Sequence, residues 1–102
     1  MDDYTNAPFR EAVLDLLDQR DWSRRELSAA VGVDPAHISR LLRYGSRLRA
    51  TPDLLERIAR ALGVEPEYFA EHREWLVVQA VRANPSLRER LYAGVVAGDH
   101  VG

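Results

Sequence analysis

Apolar residues recur along this chain at helical spacing, and no segment alternates apolar and polar positions for the length of a strand. Phe9, Val13, Leu16 and Leu17 fall at i, i+4, i+7 and i+8, which predicts one buried stripe on a helix over about 8–20. A second helix is predicted over about 24–31. Ser23 caps it, and Glu26 completes the capping box Ser-Arg-Arg-Glu. Trp22 and Leu27 form a hydrophobic staple across that cap, and Gly32 ends the helix in the left-handed conformation glycine adopts most easily. A third helix is predicted over about 35–43, capped by Asp34, opened by Pro35, stapled by Val33 and Ile38, and stopped by Gly45. A short basic loop, 46–50, leads to a fourth helix over about 52–62. Thr51 caps that helix, Pro52 opens it, and it buries Leu54, Leu55, Ile58, Ala59 and Leu62 before Gly63.

Two more helices follow, one from Pro66 to about Arg82 and one after Asn84, with Pro85 in its first turn and Leu87, Leu91 and Val95 at i, i+4 and i+8. All five prolines are expected at the first helical position, where the missing N–H costs nothing. The tail from Gly98 is expected to fray. The fold class is therefore all-α.

The most informative unit is helix, glycine turn, helix over 23–43. Gly32 supplies the turn, and Leu27, Val31, Ile38 and Leu41 interlock the two helices. Ser28 lies at their crossing, where only a small side chain fits. This geometry holds the third helix proud of the body, where it can enter a DNA major groove about 12 Å wide.

Composition narrows the picture. At 102 residues the chain makes one domain, and 46% apolar with 29% charged residues excludes a disordered chain. No apolar run reaches the roughly 18 residues of a membrane span. The acidic start, Met1 to Thr5, lacks the apolar core of a secretory signal. With no cysteine, disulfides, thiolate chemistry and cysteine-based zinc sites are out, and the cytoplasm is the expected compartment.

The net charge of -2 hides a strong asymmetry. Residues 1–19 carry a net -4, residues 20–60 a net +4, and residues 61–102 a net -2. Within 35–52 lie Arg40, Arg43, Arg47 and Arg49 and not one acid. A small protein binds a polyanion through a local basic face, not a basic total. All 14 basic residues are arginine, so every cationic contact is a planar fork suited to phosphates and guanine edges, and a lysine nucleophile is impossible.

The stretch WSRRELSAAVGVDPAHISRLLRYGSRLRATPDLLERIARALGVEPEYF, 22–69, resembles the Cro/repressor-type, or XRE, helix-turn-helix family. The elements that carry the likeness are RRELSAAVGVDPAHISRLL and the fourth-helix signature LLERIARALGVEPEYF. The resemblance implies a five-helix, lambda-repressor-like bundle that binds operator DNA as a symmetric dimer. Residues 1–69 would form that DNA-binding domain, and 70–102 a helical extension packed on it. Two departures stand out. Ser28 replaces the usual alanine or glycine, and Leu42, Arg43 and Tyr44 precede Gly45, which lengthens the loop by about one residue.

Physics and family position together assign roles. Ala36, His37, Ser39 and Arg40 are the candidate base contacts. Arg40 either reads a guanine O6/N7 pair, worth about 1–3 kcal/mol of discrimination, or takes a phosphate. Ala36 can touch a thymine methyl. His37 either donates to a base edge or is solvated, and Ser39 can reach a phosphate or a base. The candidate phosphate contacts are Ser23, Arg24 and Arg25 at the second helix's start, and Arg43, Arg47 and Arg49 in the loop.

Beyond residue 70 the chain is too apolar for one stripe facing one core. Trp75, Val78, Leu87, Leu91 and Val95 are expected to form a dimer interface that sets two recognition helices about 34 Å apart on double-stranded DNA. The leading expectation is a homodimeric, sequence-specific repressor. The alternative is an antitoxin, or an interaction module, whose residues 70–97 bind a protein partner. An enzyme is not expected. The three histidines, His37, His72 and His100, lie in separate segments, no metal or cofactor is expected, and no phosphate-binding glycine loop or nucleophile motif is present.

Overall fold

The computed structural model describes residues 4–98. The acidic start at residues 1–3 and the tail beyond Gly98, with His100, lie outside them. Every regular element among the described residues is helical: α1 (Phe9–Arg20), α2 (Arg24–Val31), α3 (Pro35–Leu41), α4 (Pro52–Leu62), a 3-10 turn (Pro66–Tyr68), α5 (Ala70–Ala83) and α6 (Pro85–Gly98).

The core is the one the apolar spacing dictates. Val13, Leu16 and Leu17 of α1 meet Leu27 and Val31 of α2, Ile38 and Leu41 of α3, and Leu54, Leu55, Ile58, Ala59 and Leu62 of α4. Helix α2 packs on both α3 and α4. The capping box forms in full: the Ser23 hydroxyl accepts the N–H of Glu26 at 3.1 Å, and the Glu26 carboxylate accepts that of Ser23 at 3.0 Å. Thr51 accepts the Leu54 N–H at 3.2 Å, and Asn84 caps α6 by accepting that of Leu87 at 3.0 Å.

Three boundaries depart from expectation. Helix α1 begins at Phe9, so Pro8 is its N-cap rather than its first helical residue. Helix α3 stops at Leu41, not at 43. Leu42 enters the core instead, and a turn closes behind it with Gly45 at φ 76° and the Ser46 N–H donating to Arg43 O. The long fifth helix is split. Phe69 takes an extended conformation (φ -88°, ψ 133°) that sends its ring fully into the core, 4.9 Å from Phe9, and only then does α5 begin. Burying that ring outweighs the continuity of the helix.

Helices α5 and α6 bury no residue. They pack on each other, and the molecule measures 46 × 27 × 26 Å, longer than a compact chain of its size.

Candidate nucleic-acid interface

The α2–α3 turn is fastened at each joint. Gly32 sits at φ 80°, and its N–H and that of Val33 both donate to Ser28 O, at 2.8 and 3.0 Å. Ser28 is buried at 2% exposure, yet its hydroxyl is satisfied inside its own helix by donating to Arg25 O at 2.9 Å. That is why serine fits a crossing where a small apolar residue is usual. From α4, Arg57 donates to Val31 O at 2.6 Å and occupies a carbonyl left open at the end of α2.

Helix α3 is fixed at both ends. The Asp34 carboxylate accepts the Ala36 N–H at 2.8 Å, and Arg10 of α1 donates through Nε to Leu42 O at 2.7 Å. Between these ends Ile38 and Leu41 face inward, while Ala36, Ser39 and Arg40 are exposed. Their spacing of i, i+3 and i+4 puts these three on one face. His37, half-buried, lies on the flank of that face rather than at its centre.

The arginines divide by task. Arg10, Arg20, Arg57 and Arg73 donate to backbone carbonyls of Leu42, Leu16, Val31 and Thr5, and Arg88 pairs with its neighbour Glu89. Among the described residues, the side chains of Arg24, Arg25, Arg40, Arg43, Arg47 and Arg49 have no hydrogen bond or ion pair, Arg24 half-buried and the other five exposed; the same holds for the exposed Arg60, Arg82 and Arg90 on α4, α5 and α6. At the start of α2, Ser23 is exposed and already engaged in the capping box. The Glu26 carboxylate in that box weakens the pull of the helix terminus on an anion, so Arg24 and Arg25 must supply most of the attraction there.

Two further residues of this region carry structure the sequence reading did not single out. Arg10 and Arg57 act over 32 and 26 residues, so no local pattern marks them. Arg43, Arg47 and Arg49 line a cleft of about 950 Å³ whose walls also include Arg10, Tyr44, and Trp75 and Val78 of α5.

Of the predicted dimer residues, Trp75 and Val78 line that cleft, whereas Leu87, Leu91 and Val95 of α6 do not. Trp75, Val78, Leu91 and Val95 are exposed, and Leu87 is half-buried. Leu76, Val77, Tyr92 and Val96 are exposed as well. Among the described residues no group of three or more acidic or histidine side chains could hold a metal ion, and no helix is long and apolar enough to cross a membrane.

Comparison with known proteins agrees with this geometry. The family described as Helix-turn-helix matches residues 13–69, more than half of the chain, from the core of α1 to Phe69. No curated protein and no solved structure matches the chain. The matched family is one of DNA-binding transcriptional regulators, not of enzymes. The fastened α2–α3 turn, the exposed face of α3 and this match place the chain in the XRE-type helix-turn-helix family.

Proposed function

We propose that this chain is a sequence-specific regulator that binds an inverted-repeat operator as a homodimer and acts as a repressor. One observation carries the reading: among the described residues, six of the nine arginine side chains without a partner lie within 24–49, the segment that carries α3. In this reading Arg40, with Ala36, Ser39 and His37, meets base edges. Ser23, Arg24, Arg25, Arg43, Arg47 and Arg49 hold the phosphates on either side.

Selection from a random duplex pool at about physiological salt tests it. Enrichment of an inverted repeat with half-sites one helical turn apart is the expected result. A single enriched half-site removes the dimer and keeps the DNA reader. No enrichment overturns the reading.

The bare apolar surface of α5 and α6 favours a second reading, in which that surface binds a different protein, as in an antitoxin or an interaction module. Co-purification of such a partner, lost on removing residues 70–97, would support it.

A further inference from the structure

Tyr44 lies three residues past the end of α3 and is 86% exposed, the barest large hydrophobic side chain among the described residues. A single exposed ring is ordinary by itself; what marks Tyr44 is what surrounds it. The ring is also held in place. The Arg10 guanidinium lies 5.4 Å from its centroid, and the same guanidinium donates to Leu42 O, the carbonyl just past α3. Arg10 therefore ties the body of α1, the end of α3 and one face of the Tyr44 ring into a single unit. A side chain built this way is aimed, since less of its rotamer freedom remains to be lost when it makes a contact.

Its surroundings indicate what the contact is. Tyr44 sits between Arg43 and Arg47, in the segment 35–52 that holds four arginines and no acid. Among the described residues its hydroxyl has no partner in the chain. A ring with one cation-backed face, an open flank and a free O–H donor, set among unpaired arginines, matches a sugar–phosphate unit: an apolar flank for the deoxyribose, a neutral donor for the phosphate oxygen.

We propose that Tyr44 is a DNA-backbone contact, packing its ring on a deoxyribose and donating its hydroxyl to the adjoining phosphate, with Arg10 as its positioning residue. The inference rests on the DNA-binding reading above. It adds a neutral contact to a clamp otherwise made of charges. It also gives the longer loop after α3 a purpose, since the residue before Gly45 is the one presented.

The test is a salt series of binding isotherms, on a selected operator and on a random duplex, for the wild type and for Tyr44→Ala, Tyr44→Phe and Arg10→Gln. Tyr44→Ala is expected to weaken both duplexes by about tenfold, the loss of one hydrogen bond and its packing. Because Tyr44 is neutral, the slope of log K against log salt should not change, whereas removing an arginine clamp lowers it by roughly 0.9. Tyr44→Phe should keep part of the affinity. Arg10→Gln should weaken binding without altering the slope, because its guanidinium acts through Tyr44 and Leu42. Hydroxyl-radical cleavage supplies the direct readout: Tyr44→Ala should expose one sugar at the edge of each half-site while the rest of the footprint persists. Wild-type binding with an unchanged Tyr44→Ala isotherm and footprint overturns the proposal and leaves the DNA reading standing. A wild type that binds neither duplex overturns both.

Discussion

The carboxylate of Glu71 accepts the backbone N–H of Phe9 at 3.0 Å, so α5 caps α1 across 62 residues of sequence. Pro8, the residue in the N-cap position, offers no side-chain cap of its own. Around this bond the Thr5 N–H donates to Tyr68 O at 2.8 Å, and Arg73 donates to Thr5 O with its guanidinium 5.0 Å from the Tyr4 ring. The C-terminal extension is therefore stitched to the first residues described, and the junction at 69–70 is not a free linker.

Glu71→Ala should destabilise the protein by about 1 kcal/mol, the usual worth of a helix cap. In a domain of this size that lowers the melting temperature by roughly 4–8 °C. Thermal unfolding followed by circular dichroism measures it. An unchanged melting temperature would show that water caps α1 as well as the carboxylate does.

Arg57 offers a second stability test, with an internal control. It bridges Val31 O at 2.6 Å and Asp53 at 3.5 Å, and the Asp53 side chain is 82% exposed. An exposed pair within one helix contributes only about 0.3–0.5 kcal/mol, so Asp53→Ala should be nearly silent. Arg57→Ala should cost about 1 kcal/mol, because it reopens a carbonyl at the end of α2. Gly32→Ala should cost about 1–2 kcal/mol through its positive φ alone, since the added methyl would meet Arg57 only at 3.5 Å. Urea unfolding of the three variants ranks them. Equal losses for Asp53→Ala and Arg57→Ala would assign the effect to the ion pair instead.

Local chemistry made much of this fold readable. The capping box at Ser23, the caps at Asp34 and Thr51 and the glycine stops at 32 and 63 each act within a few residues, and each has its expected geometry. What escaped was set by distant contacts. Nothing near Phe69 reveals that its ring will leave the helix for a pocket beside Phe9. The end of α1 carries no glycine, and Asp21 adopts the left-handed conformation there at φ 56°. Asp34 caps by a bond to Ala36 that the pattern fixes, but whether α3 ends at 41 or 43 depends on Leu42 entering the core and on Arg10 meeting its carbonyl. The candidate site was legible as a set of residue types at helical spacing. The separation of structural arginines from unpartnered ones was not, because arginine looks the same in both roles until its neighbours are known.

That separation predicts two kinds of loss in DNA binding. Arg40 stands on the exposed face of α3 with Ala36 and Ser39. Arg40→Ala should reduce the preference for the operator over a random duplex by about 1–3 kcal/mol. Arg47→Ala or Arg49→Ala should weaken both duplexes alike, and each should lower the magnitude of the salt slope by roughly 0.9. Fluorescence anisotropy at several salt concentrations separates the two. If Arg40→Ala weakened both duplexes equally and flattened the slope, Arg40 would be a phosphate contact and the base reading would fall to Ser39 and His37.

The last prediction concerns the helices that bury nothing. Trp75 and Val78 are each 38% exposed, Leu91 is 45% and Val95 66%, so the two helices keep apolar side chains in water while contributing no residue to the core. A specific interface needs roughly 800 Å² from each partner, and α5 and α6 leave eight large apolar side chains exposed to contribute to one. Val78→Arg with Leu91→Arg should therefore convert a dimer into a monomer without unfolding it, since neither residue is buried in the single chain. Sedimentation equilibrium reads the mass, and circular dichroism confirms the helices. On DNA the double variant should keep its affinity for one half-site and lose the gain from two, because dimerisation raises the effective concentration of the second recognition helix. A variant that stayed dimeric would move the interface elsewhere on the molecule. A wild type already monomeric at micromolar concentration, with and without operator, would leave the hairpin to a different protein and give the interaction-module reading its strongest support.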